Sequence, residues 1–328
     1  MNSLRNWSRK TFNAPRKSTF RKARLPVETL EVRMVPTGVF MVTNTLDNGA
    51  GSLRNAILWA AAAPTTINTV NGRSSGPNVI EFAIGSGAKT ITPSTVLPWI
   101  TNNYTLILGN TQPGFAGKPL IQISGQNAQT VGLEIQASNC VVQGLVINGF
   151  NLQVDLESGY ANTIDGCYLG TDATGTKAVP NPNGSIGVSI FHSSDSLIGG
   201  TTASKRNIIS GNYSALSDFN GGDGILIQQS DYNWIEGNYI GTDVSGSHAL
   251  ANVVGGLVGT QQNAGACILG GAYNQVGGPL AGQANVVSSN LDGVYIAGIG
   301  TRHNYVEGNR IGTDVTGTRV LGNSQDGV

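Results

Sequence analysis

The side chains able to do chemistry in this chain fall into small groups. Asp155, Glu157 and Asp165 lie close together in sequence, Asp218 and Asp223 sit around a GGDG loop, and Lys205 and Arg206 fall between the two sets. Two carboxylates a few ångströms apart cleave glycosidic bonds, and a basic side chain beside an acid-bound calcium removes a sugar proton in lyase chemistry. Asp155, Asp165, Asp218, Asp223 and Arg206 are therefore the candidate catalytic residues. Each acid also reads as a turn former or a solvated carboxylate. His192, His248 and His303 are single and differ in repeat position, which speaks against a triad or a metal cluster.

A second set of carboxylates is periodic. Asp172, Asp243 and Asp314 each close a Gly-Thr-Asp segment, and the segments recur every 71 residues. Stacked two rungs apart, they sit roughly 10 Å from one another along one edge, too far for one ion to bridge. Any calcium is then held one per loop, by the Asp and turn carbonyls. The preferred reading is an Asx turn, in which the carboxylate accepts a backbone N–H of its own loop. No other cofactor is indicated. Flat aromatic side chains offer a route to sugar recognition, and Trp234, Tyr239 and Tyr305 are the candidate ligand-binding residues, with Tyr232, Tyr273 and Tyr295 nearby. Trp234 flanks an inward Ile and is expected to point outward.

The elements that must hold these groups follow from the repeat. NTIDGCYLGTD from Asn162, NWIEGNYIGTD from Asn233 and NYVEGNRIGTD from Asn304 are copies at a fixed period, and such periodicity marks a stack of units that cannot bury an apolar face alone. Short β-branched runs bounded by Gly, Asn and Pro begin at Asn78, and hairpin dipeptides are largely missing. Three strand types in fixed order describe one turn of a three-sided parallel β-helix, about two turns per period. Ile164, Ile235 and Val306 should point inward, as should Leu169, Ile240 and Ile311. Asn162, Asn233 and Asn304 are fold determinants that bond backbone at corners. With 46 glycines and 12% charged residues, the composition suits tight stacking of strands and turns. One helix is predicted over 52 to 63, capped by Ser52, with Leu53, Ile57 and Ala60 or Ala61 on one face and Pro64 ending it. It should cover the end of the stack.

Charge is segregated. Nine of 19 basic residues fall in the first 33, against Glu28 and Glu31, whereas from residue 34 onward ten basic residues face 17 acidic ones, a net of −7. The basic leader, residues 1 to 38, lacks apolar periodicity and is expected to be disordered. Nucleic acid is not the expected partner. The leader lacks the apolar stretch of a secretory signal, and the chain has no 20-residue apolar run to span a bilayer. Three thiols, Cys140, Cys167 and Cys267, cannot all pair and show no CxxC spacing. Cys167 takes the repeat position of Asn238 and Asn309 and reads as a small turn residue.

Two resemblances add to this. RLPVETLEVRMVP, residues 24 to 36, resembles the "LE.R..P" element near the N-terminus of planctomycete surface and exported proteins, which implies an extracellular or cell-surface location. VTNTLDNGAGSLRNAI (42 to 57), TQPG (111 to 114) and the repeats resemble bacterial right-handed parallel β-helix repeat proteins, over residues 40 to 328. Many of these begin with a CSLREA-like segment, of which this chain keeps SerLeuArg without the preceding Cys. That resemblance implies an all-β, right-handed parallel β-helix: residues 39 to 130 as cap and first rungs, 131 to 328 as the repeat. It implies no single activity, because the same solenoid carries lyases, hydrolases and adhesins. Of the polygalacturonase-like motifs NTD, DD, GHG and RxK this chain has none, and the pectate-lyase-like Asp-His pair is missing. The expected role is a non-catalytic surface scaffold for adhesion, envelope architecture or glycan binding, with polysaccharide or envelope components as partners; the other reading is a polysaccharide lyase or glycoside hydrolase. The final copy stops at Val328 inside a strand pattern, which predicts a fragment, a truncated product or end-to-end self-association.

Overall fold

The computed structural model describes residues 38–63, 76–126, 130–181, 183–214, 221–254 and 263–328. All but the last residue of the predicted leader, together with Pro64 and Asp218, lies outside these. Short β-branched strands stack in parallel register into sheets of nine, eight and six strands, and a two-stranded pair joins Tyr213–Ser214 to Val253–Val254. The chain visits the three large sheets in turn and comes back one rung higher, and parallel crossovers of this kind are right-handed. The fold is the parallel β-helix expected.

Register shows how apolar side chains build the bore. In the first sheet Ile80, Ile107, Val142, Ile164, Ile198, Ile235, Val276 and Val306 lie one over the next. In the second, the column runs Ile91, Ile123, Ile147, Leu169, Ile209, Ile240, Val287, Ile311. The third contributes Ile135, Leu156, Ile190, Ile227, Ile268 and Ile296. These columns share one core, in which Ile296, Val306 and Ile311 are only partly buried. Burying each such side chain contributes roughly 1.5 to 3 kcal/mol. Ile164 and Ile235 are two rungs apart with Ile198 between them, so the 71-residue period is two turns.

Asparagines order the corners. Between the first and second sheets Asn207, Asn238, Asn285 and Asn309 form a ladder in which each Oδ1 accepts the backbone N–H of the residue one rung below. Each Nδ2 donates to a core-column carbonyl one rung down, as Asn238 does to Ile198 at 2.8 Å. Asn233, Asn274 and Asn304 build a second ladder, and Asn212, Asn252, Asn290 and Asn323 a third. Two ladders start from cysteine: the Cys167 amide bonds Asn207 and the Cys140 amide bonds Asn162. The sequence run CVVQGLVI is not one strand. Gly144, at φ 68°, turns a corner and splits it into Val141–Gln143 on the first sheet and Leu145–Asn148 on the second.

The helix forms over Leu53–Ala62, with Ser52 Oγ accepting the Asn55 N–H. Leu53, Ala56, Ile57 and Ala60 join the core. Its last carbonyls, which a helix leaves without intrahelical partners, take the amide of Asn102 at Ala60, Ala61 and Ala63. The TQPG motif is a staple: buried Gln112 accepts the Ile84 N–H and donates to Gly85 and Gly87, while Thr111 Oγ1 accepts the Phe82 N–H. No helix among the described residues is long and apolar enough to cross a membrane.

Candidate functional site

Successive side chains of a strand face opposite sides, so every residue beside a core column stands on the outer wall. On the third sheet this places Glu134, Asp155 and Ser189 in one outward column and Glu157 in the next. Gln136 Nε2 donates to Glu134 Oε1 at 2.6 Å and to Glu157 Oε2 at 3.3 Å, which ties the acids together. Burial raises the Asp155 carboxyl to about 6, and the charges of Glu134 and Glu157 add to this while the Ser189 hydroxyl opposes it. The Glu134 carboxyl is raised by burial as well. Asp155 Oδ1 has no hydrogen-bond partner. One carboxylic acid held near neutrality beside another is an acid–base arrangement. Glu134 was not singled out in the sequence; it meets Asp155 because LEI (133 to 135) lies in register with VDL (154 to 156) one rung on.

Asp165 does not share that surface. It stands on the outer wall of the first sheet, opposite Gln143. The corner at Asn162 sets it on a different face of the coil from Asp155. Its neighbours are Gln143, whose Nε2 donates to Oδ1 at 2.6 Å, and Lys205. Burial pushes its carboxyl up, and both contacts pull it back. The 3-10 turn Ala203–Lys205 carries Lys205 beside it and sets Arg206 against the Tyr239 ring at 4.2 Å, with Nε donating to Gly237 O. The structure thus joins Asp165 to Lys205, while Arg206 turns to Gly237 and Tyr239.

Asp223 is a third environment. It lies two residues before the third-sheet strand Ile225–Gln228, bonds Ala264 one rung on and lies below Asp292, which pairs with Ala264 a further rung on. Oδ1 accepts the Ala264 N–H at 2.7 Å, and Oδ2 has no partner. Burial, then the charge of Asp292, raises it to about 7. Neither Lys205 nor Arg206 is among its partners.

The three periodic aspartates close small flaps. Thr171 bridges Ala178, Thr242 bridges Ala249 and Thr313 bridges Val320, all antiparallel. Inside each flap one carboxylate oxygen takes several N–H donors: Thr176 and Lys177 on Asp172, Ser245, Ser247 and His248 on Asp243, and Thr316, Thr318 and Arg319 on Asp314. All three carboxyls lie below the usual range. Burial works against this at Asp172 and Asp243, where the Thr174 and Ser245 hydroxyls and the amides outweigh it; at Asp314 the Thr316 hydroxyl leads. This is the Asx-turn geometry. Among the described residues no group of three His, Cys, Asp or Glu side chains is arranged to hold a metal.

Of the aromatic candidates, Tyr239 lies on the outer wall of the second sheet with Tyr168, under the flaps and Arg206, and is only 6% exposed. Its ring is thus closed to a sugar. Trp234 points outward, half-buried, in the column Leu197, Trp234, Gln275, Tyr305, and Tyr305 is 50% exposed. At the corner beside this column, Tyr232, Tyr273 and His303 share a left-handed backbone, at φ 58°, 58° and 52°. Their rings stack at 4.9 and 5.0 Å. No protein-family model matches the chain, and no curated protein is similar to it.

Proposed function

We propose that the chain is a non-catalytic β-helix scaffold, placed outside the cell or on its surface, that serves adhesion or envelope architecture and binds glycan on the outer wall of its first sheet. The column of Trp234, Gln275 and Tyr305, beside the stacked Tyr232, Tyr273 and His303, carries this reading. Flat rings accept the C–H faces of pyranoses, and an amide between them donates and accepts bonds to hydroxyls. The RLPVETLEVRMVP element, similar to that of planctomycete exported proteins, supports the location. In affinity electrophoresis through neutral polysaccharides, Trp234→Ala and Tyr305→Ala should each weaken retardation about tenfold, equivalent to ~1.4 kcal/mol, without lowering the melting temperature. Retardation unchanged in both variants sinks the assignment.

The acidic trio of the third sheet favours a second reading, a polysaccharide lyase or glycoside hydrolase. Asp155, held near 6 beside Glu134 and Glu157, would act as proton donor or base. New reducing ends or unsaturated products from a polysaccharide panel, lost in Asp155→Asn, would establish it; the first reading expects no turnover.

A further inference from the structure

At the corner between the first and second sheets the tight turns of neighbouring rungs, Gly144 and Gly166, form a bare floor, and two longer segments rise on either side. One is the 3-10 turn Gly109–Thr111 and its continuation to Lys118; the other is the turn Ala203–Lys205 with Arg206. They enclose a cleft of about 360 Å³ lined by Lys118, Lys205, Arg206, Phe115, Tyr168 and Gln143, among others. Gly144 and Gly166 have φ of 68° and 62°. A Cβ on Gly166 would meet Ser204 O at 2.9 Å and one on Gly144 would meet Asn110 N at 3.0 Å. The floor therefore stays open only without side chains.

Three of the ten basic residues that follow residue 33 gather here, on a body of net charge −7. Among the described residues none of the three is in a salt bridge. The buried Asp165 behind Gln143 offsets one charge and leaves an excess of positive charge. Both walls are preset: Gln112 fastens one to the turn at residues 84 to 87, and Arg206 is fixed by Gly237 and Tyr239 in the other.

The repeat supplies an internal control. Two turns higher the segment GGTTASKRN (199 to 207) has a sister, GGPLAGQAN (277 to 285), that turns the same corner with Gln283 and Ala284 where the first has Lys205 and Arg206. There Gln283 simply bonds Glu236, at 2.8 Å. The corner itself thus requires no cations. We propose that this cleft is a binding site for an acidic saccharide, whose carboxylate or sulfate pairs with Lys118, Lys205 and Arg206 while its ring lies against Phe115. The assignment is separate from the glycan face of the first sheet.

The test is titration calorimetry of the full chain with three probes: an oligogalacturonate, a sulfated heparin-type oligosaccharide and inorganic phosphate. Saturable binding of either oligosaccharide, weakened about tenfold or more by the exposed-site pair Lys118→Glu and Lys205→Glu at unchanged melting temperature, is expected. The tighter of the two identifies the anion. Trp234→Ala should leave this binding intact, which separates it from the first-sheet reading. Binding of neither oligosaccharide, indifference to the lysine pair, or phosphate binding as tightly as the sugars would each overturn the proposal.

Discussion

The aspartates of this protein carry one functional group in two opposite electrostatic states. Asp155 and Asp223, starved of donors, are raised to about 6 and about 7; Asp172, Asp243 and Asp314, supplied with N–H donors by their own loops, are lowered. Linkage gives the sign. A carboxyl with a raised folded value stabilises the fold fully below its unfolded value of 3.8 and ceases to do so as pH climbs through 6 and 7. The lowered group stabilises above 3.8 and ceases to do so as pH drops below it. The melting temperature should therefore climb as pH is brought from 8 to about 4 and decline below that. In Asp223→Asn, whose amide oxygen still accepts the Ala264 N–H, the upper part of that climb should shrink. A midpoint that instead increases between pH 5 and 8 contradicts the assignment. For the flaps, calcium addition and chelation should both leave the melting temperature unchanged, because the carboxylate oxygens already face N–H donors. A calcium-dependent rise that Asp243→Asn removes would show a cation displacing them.

At the scale of strands and corners, the asparagine ladders do what side chains seldom do in a sheet: they link rungs by bonds running along the stack axis. Asn238→Ala removes the acceptor of the Asn207 N–H and the donor to Ile198 O inside the corner. Leaving such groups unpaired costs roughly 2 to 4 kcal/mol, to be read as a lower denaturant midpoint at unchanged slope. Cys167 stands in for an asparagine: its amide donates to Asn207 Oδ1 and its thiol donates toward Val142 O, as Asn238 Nδ2 does to Ile198 O. Cys167→Asn should then be neutral within about 1 kcal/mol, whereas Cys167→Ala should lose stability. Period, strand types, corner asparagines and the helix were legible because each is written in local composition. Lateral neighbours were not. Successive rungs along the first sheet advance by 34, 37, 41 and 30 residues, from Ile164 to Ile198, Ile235, Val276 and Val306. Without those lengths nothing in the sequence sets Glu134 beside Asp155, brings Lys205 to Asp165, or buries Tyr239 beneath Arg206. The contribution of Phe115 and Lys118 to the cleft was hidden for the same reason.

At the largest scale, the β-helix of the described residues is a one-dimensional assembly in which most contacts join a rung to the next. The flaps break that rule. Val244 N–H donates to Gly175 O, and Val315 N–H to Gly246 O, so each flap docks on the flap two turns below while Ala173, Val244 and Val315 pack on the outer wall of the second sheet. A block deletion of residues 172 to 242, joining Thr171 to Asp243, should yield a folded chain with a cooperative thermal transition. Removal of a single rung should not, since it would set a flap directly over a flapless turn.

Growth and shrinkage of such a coil are thereby quantised. Recombination between copies can add or remove two storeys at once with every interlock preserved, but a change of one leaves the outer lattice out of phase. Length variation in this architecture should come in even numbers of coils.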